Sequence, residues 1–477
     1  MKNTLKRLVM VVASGVLTAT GVSSPALAQP AATTADGDIR ARIAAVPGMR
    51  LLGERPGALG QTVLDLSFRQ PTDHRHPGRG SFEQRVTLVH KSIEKPMVLY
   101  SSGYDLGSSP QRLSEPAALL DANQVTTEQR FFGTSRPEGA DLSTLTIWQA
   151  ASDHHRLITA LKQLYHGAWI STGGSKGGMT AVYHRRFYPD DVAGTVAYGA
   201  PNNTDDQDDS AYDARLEHLG SAECRDALKS AQRQALIRRE AMTQRFGRWA
   251  ADAKATFTTI GSGDRAFELA VLRLPMMFWM HQPEGSCSSV PQADATDDAL
   301  YAWVDQVTQL PVYTDQTLQA FTPYFYQLGT QLGYAHFAAP HLEGLLRHPG
   351  VQDVRSYVPR DVPLRFQAGA MPDIDRWVRL HGASLMFVNG ENDIAVAEPF
   401  RLGKGTRDSF VFEAPAGNHH ISIGGLRPAD AESARASLSR WAGERTESWA
   451  HTGPRSAAAN TAAVTSDPHS TPGAPQP

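Results

Sequence analysis

A chain of 477 residues with 41% apolar side chains can bury one large core or two to three ordinary ones, and its aperiodic glycines and prolines exclude a fibrous repeat. Its 49 acidic and 46 basic residues nearly cancel, and no lysine-rich tract interleaved with aromatics marks a nucleic-acid surface. Charge names no partner, so function has to be read from motifs.

The chain opens as an address. Lys2, Lys6 and Arg7 precede an apolar run from Leu8 to Leu17, and small residues stand at Ala26 and Ala28. A charged start, a short apolar stretch and an A-x-A-like end make 1–28 a signal peptide. A membrane anchor needs about 20 continuous apolar residues, and Ser14, Thr18 and Gly21 interrupt this run. No later stretch is long and apolar enough to span a bilayer. The mature protein is therefore expected to be secreted, extracellular and free of the membrane. Residues 29–45 read as a pro-segment or flexible lead-in, and 452–477, rich in Ser, Ala, Thr and Pro, as a disordered tail.

Between these ends strand and helix patterns alternate. Thr62 to Phe68 and Phe82 to His90 alternate apolar and polar residues as strands do, and Met97 to Tyr100 is a short apolar run. Leu145 to Leu164 has helical spacing, Ala168 to Ser171 reads as a strand, Lys176 to Phe187 as a helix and Val192 to Tyr198 as a strand. Strand, tight turn, helix, strand is the unit of a mostly parallel sheet. From about Asn203 the texture becomes helical and aromatic-rich. Strand character resumes at Ala383 to Asn389 and Phe410 to Glu413, followed by a helix over Pro428 to Trp441. The expected plan is a core over 46–203, a mainly helical cap over 204–382 and a second core part over 383–451.

Gly173-Gly174-Ser175-Lys176-Gly177-Gly178 falls between the predicted strand and helix. A G-x-S-x-G turn in that setting lifts the serine hydroxyl above a sheet edge, and the α/β fold implied is an α/β-hydrolase core interrupted by a helical cap insertion. The backbone N–H of Lys176, at a helix N-terminus, can donate to a developing oxyanion. A serine nucleophile needs a base, and the base an orienting acid. In this fold they follow in the order Ser, acid, His. Asn389-Gly390-Glu391-Asn392-Asp393 places acids after one strand, and Gly417-Asn418-His419-His420 places histidines after the next. Asp393 and Glu391 compete for one role, His419 and His420 for the other.

These stretches resemble the secreted bacterial prolyl tri-/tetrapeptidyl aminopeptidases, relatives of the lysosomal prolyl carboxypeptidase and dipeptidyl-peptidase II group. Gln70-Pro71-Thr72-Asp73-His74, Phe82-Glu83-Gln84-Arg85, Glu128-Gln129-Arg130-Phe131-Phe132-Gly133 and the three loops above carry the resemblance, in order, from about residue 65 to 425. The cap is the weakly matched part. The resemblance implies Ser175, Asp393 and His419 as the catalytic set, and it departs at Lys176, where the lysosomal relatives have an aromatic residue. A second oxyanion donor is expected from the loop after Met97 to Tyr100, at the N–H of Tyr104. The resemblance also places Glu128 beside the substrate's free amino end, although a glutamate in such a position is otherwise read as a salt-bridge partner of Arg130 or Arg136. The activity implied is release of short peptides from free N-termini after proline; a monomer without cofactor is expected. A secreted esterase or lipase on the same fold and a catalytically silent binding protein are the rival readings.

Cys224 and Cys287 are the two cysteines, and secretion makes them one disulfide rather than two buried thiols. Some of the aromatics in Leu274 to Met280 and Phe321 to Tyr326 are expected to face the cleft. Asp205, Asp206, Asp208 and Asp209 lack the spacing of a calcium loop. His154, His155, His336, His341 and His348 form no metal-ligand motif, so no metal is expected.

Overall fold

The computed structural model describes residues 38–57, 61–107, 112–139 and 142–443. The expected signal peptide, most of the lead-in and the tail lie outside them. From Ile39 the lead-in is a helix, α1 (Ile39–Ala44), not a flexible segment: Ile39 and Ile43 stand four apart on one helical face and are buried against the sheet.

Nine strands form one sheet: β1 (Met49–Pro56), β2 (Thr62–Pro71), β3 (Ser81–His90), β4 (Met97–Ser101), β5 (Asn123–Thr127), β6 (Trp169–Gly174), β7 (Gly194–Tyr198), β8 (Leu385–Gly390) and β9 (Phe410–Ala414). Their spatial order is β1-β2-β3-β5-β4-β6-β7-β8-β9. The first three pairings are antiparallel and the rest are parallel. The helices between parallel strands cover both faces, as crossover connections require.

Side chains of successive strand residues point to opposite faces, so each buried strand serves two cores. Met97 and Leu99 of β4 pack with Leu157, Ile158 and Leu161 of α3 (Ile147–Leu161), on the face that also carries α4 (Lys176–Phe187). Val98 points the other way, with Met386 and Val388 of β8, to Ala434, Leu438 and Trp441 of α12 (Pro428–Trp441).

Between β7 and β8 runs the insertion, with α5 (Ser210–Leu216), α6 (Ala222–Ile237), α7 (Arg239–Asp252), α8 (Gly263–His281), α9 (Asp297–Thr308) and α10 (Asp315–Gln327). Ser221, Ser262 and Thr296 start α6, α8 and α9 by accepting the N–H of Cys224, Arg265 and Ala299, as N-caps do. Cys224 at the start of α6 and Cys287 just beyond α8 are joined as a disulfide, with Cα atoms 5.4 Å apart. The last helix of the predicted cap, α11 (Ala370–His381), instead flanks the sheet beside α4, where Arg186 pairs with Asp373.

Candidate active site

The loop between β6 and α4 carries the expected nucleophile. Ser175 has φ 51° and ψ −124°, a region that a residue with a side chain enters only when its surroundings compel it. The compulsion is packing against glycine. A Cβ on Gly173 would lie 2.4 Å from the Gly177 carbonyl carbon, and one on Gly177 would lie 2.3 Å from the Ser101 oxygen. Ser175 N–H donates to the Tyr198 carbonyl at 2.7 Å, which fixes the turn to the end of β7.

Gly199, the next residue, turns the chain with φ 51° directly against the other two members of the set: a Cβ there would meet Asp393 Oδ2 and His419 Nδ1, each at 3.1 Å. Asp393 is fully buried after β8, and its Oδ2 lies 2.7 Å from His419 Nδ1, while its Oδ1 accepts the N–H of Ala395. That contact leaves Nε2 as the imidazole nitrogen available for a proton from a substrate-attacking hydroxyl. Burial opposes protonation of His419, but the Asp393 charge and hydrogen bond outweigh it and raise the pKa above the ordinary 6.5. The rivals go elsewhere. Glu391 is exposed and accepts the N–H of Ala416, and His420 Nε2 lies 3.2 Å from His281 Nδ1 of α8. The insertion also holds His419, whose N–H donates to the Met280 carbonyl at 3.0 Å.

Lys176 begins α4, so its N–H has no carbonyl one turn back and faces outward from a helix N-terminus. Gly103, at φ 75°, lies against it; a Cβ on Gly103 would sit 2.6 Å from Gly177 N. The expected second donor, the Tyr104 N–H, makes a long 3.2 Å contact to Ser102 Oγ. Sequence reasoning gave the Lys176 side chain no role. It is buried, folding back to the Gly103 carbonyl and to Gln129 Oε1.

Glu128 is not placed to meet a substrate ammonium. It is 1% exposed, and four donors converge on its Oε2: the N–H and hydroxyl of Thr134 and of Ser135. Its Oε1 accepts the N–H of Leu106, with Arg85 at 4.0 Å. Gly133, at φ 47°, is the residue that leaves room for this carboxylate, since a Cβ there would lie 2.2 Å from Oε1. Neither Arg130 nor Arg136 is its ion-pair partner. Arg130 forks onto Asp153 of α3 with two contacts of 2.7 Å, and Arg136 donates to the Gly133 carbonyl. Arg130 also takes the carbonyls of Pro71 and Thr72, while His74 Nε2 meets Asp153 Oδ1 at 2.7 Å. Three of the motifs that carried the resemblance thus converge on one buried polar network that ties β2, β3 and β5 to α3.

Of the cap aromatics, Phe278 and Trp279 are buried in the core. Phe321 and Tyr324 are partly exposed and pack edge-to-face on Tyr104, at ring distances of 6.0 and 5.4 Å. They put an aromatic cluster beside the loop that follows β4. Among the described residues no group of His, Cys, Asp and Glu could hold a metal ion, and no helix is long and apolar enough to cross a membrane.

Comparison with known proteins gives the family. The profile of the family described as PS-10 peptidase S37 matches residues 31–467. A prolyl tri/tetrapeptidyl aminopeptidase of Streptomyces mobaraensis is 48% identical over 436 residues, covering 91% of each chain. A lysosomal Pro-X carboxypeptidase of Mus musculus is 32% identical over 163 residues, 30% of this chain and 33% of the relative. Among solved structures, a proline iminopeptidase of Mycobacterium smegmatis aligns with a TM-score of 0.38 at 16% identity, over 79% of this chain and 98% of its own. With a family match over nearly its whole length, the chain belongs to the peptidase S37 family of serine peptidases.

Proposed function

We propose that this serine peptidase releases tri- and tetrapeptides from free N-termini by cleaving after proline, through an acyl-enzyme on Ser175. The observation that carries the reading is the Asp393–His419 pair, packed on Gly199 one residue from the carbonyl that anchors Ser175. His419 Nε2 takes the hydroxyl proton as Ser175 Oγ attacks the prolyl carbonyl, then returns it to the leaving amine. Water, activated by the same imidazole, releases the peptide. The oxyanion is met by the N–H groups of Lys176 and Tyr104. Proline fits the wall of Tyr104, Phe321 and Tyr324, and the name of the Streptomyces mobaraensis relative supports both the proline preference and the exopeptidase mode. Secretion rests on the pattern of 1–28 and on the Cys224–Cys287 bridge, which an oxidising compartment preserves.

A panel of chromogenic tri- and tetrapeptides ending in proline, with free or acetylated N-termini, tests this beside a nitrophenyl acetate. Free peptides should be turned over well and acetylated ones poorly, and Ser175→Ala should abolish all turnover. Equal cleavage of both forms would defeat the aminopeptidase reading, and preference for the ester alone would favour an esterase.

A further inference from the structure

Lys176 follows the nucleophile, and its side chain has no part in the acyl transfer above. It is 2% exposed, yet among the described residues no carboxylate pairs with its ammonium. Its Nζ donates to the Gly103 carbonyl at 2.6 Å and to Gln129 Oε1 at 2.7 Å, and it lies 5.4 and 5.1 Å from the ring centres of Tyr104 and Phe132. Burial alone pulls its pKa well below the ordinary 10.5. A desolvated ammonium is a costly way to fill space that an apolar side chain would fill without penalty.

The carbonyl that it grips belongs to the peptide whose N–H is that of Tyr104. This peptide is trans, so its C=O and N–H point in opposite directions within one rigid plane. Holding the oxygen fixes the direction of the N–H. Drawing electron density toward that oxygen also makes the N–H a stronger donor. Gln129, the second partner, secures the other end of the same residue, because its backbone N–H donates to the Tyr104 carbonyl at 2.9 Å. Its side-chain amide reaches Gln327 Oε1 at the end of α10, at 3.0 Å. The cap therefore bears on the oxyanion loop through the same junction.

We propose that Lys176 is a positioning residue whose ammonium orients and polarises the Gly103–Tyr104 peptide as the second oxyanion donor, beside the donor that its own backbone supplies. The proposal rests on the reading of Ser175 as nucleophile. Lys176→Met keeps the backbone donor and much of the volume but releases the peptide.

Loss of a whole oxyanion donor costs about 100- to 1,000-fold in kcat, so a loosened one should cost about 10- to 100-fold. KM should stay within about threefold. The same factor should appear for a free proline peptide, for nitrophenyl acetate and for the rate at which a phosphonylating reagent labels Ser175, since all three pass through one oxyanion. Gln129→Met, which leaves the elbow untouched, should shift the three rates together and in the same direction, and it serves if Lys176→Met does not fold. Wild-type kcat with a lowered melting temperature would make the lysine a packing residue and overturn the proposal. A loss confined to the peptide, with the ester spared, would also overturn it by placing the effect in substrate binding. Activity retained by Ser175→Ala would instead sink the nucleophile reading, so the two failures are distinguishable.

Discussion

Replacing Glu128 by Gln separates an anchor for the substrate from a strut of the fold. The amide must turn its oxygen to the crowded end, where the N–H groups of Thr134 and Ser135 arrive at 2.9 Å. Hydrogen bonds to a charged acceptor are worth about 1.5 to 3 kcal/mol and neutral ones about 0.5 to 1.5, so these two bonds lose about 2 kcal/mol together. The NH2 group then faces the Leu106 N–H, donor against donor, which costs about 1 to 3 kcal/mol more. A neutral amide is less costly to bury than a carboxylate and returns a part, leaving a net loss of about 2 to 4 kcal/mol. Urea unfolding followed by tryptophan fluorescence should show that loss as a lowered midpoint. Below the transition, kcat/KM on free and on N-acetylated peptides should change by the same factor. Unchanged stability with a selective loss on free peptides would refute the structural account and restore Glu128 as the partner of the substrate ammonium.

Further outcomes rest on the site and the bridge. The acid limb of kcat/KM should have its midpoint above pH 6.5, because His419 acts as a base only when neutral and Asp393 raises its pKa. For stability the sign is opposite: the ion pair contributes fully below about pH 6.5 and is lost as pH rises through the raised value. Asp393→Asn should move that limb to lower pH and cut turnover by about four orders of magnitude. His419→Ala should be comparably damaging and His420→Ala mild, and the reverse ranking in a kcat comparison would reassign the base. Changing Cys224 and Cys287 to Ser together opens a loop of 63 residues and should lower the unfolding free energy by about 4 kcal/mol, and an unchanged urea midpoint would contradict this.

Much of this fold was legible where local pattern and tertiary role coincide. The strand, glycine turn and helix around Ser175 and the closing helix over Pro428–Trp441 stand where periodicity put them. Two strands were not foreseen. β5 reads Asn-Gln-Val-Thr-Thr, polar yet wholly buried, because Asn123 Oδ1 takes the N–H of Lys91 and Ser92 and Gln124 Oε1 that of Ser114. Those partners are distant in sequence and leave no local signal. β1 lies at the sheet edge, and although its burial alternates, an apolar Leu52 stands on the exposed side and Gly53 and Arg55 on the half-buried one, so residue type does not follow burial. In the site, spacing could not choose between His419 and His420, whose side chains diverge toward Asp393 and toward His281 of the cap. The acid of the Glu-x-Arg-aromatic-aromatic-Gly motif invited a functional reading because motifs do not say which way a carboxylate turns. The Lys176 contact to Gln129 is invisible for the same reason.

The cap enters the chain after the nucleophile and before the acid and the base. A nascent chain that has reached the end of α10 already carries every residue of the elbow but neither of the residues proposed to draw a proton from Ser175. Asp393 and His419 arrive only when β8 joins the edge of β7 and β9 joins β8. The proposed catalytic set is therefore complete only once β9 and the loop after it have been made. The order of the segments withholds the proposed acid and base until late in synthesis, and a truncation before β8 supplies an inert control with an unaltered nucleophile sequence.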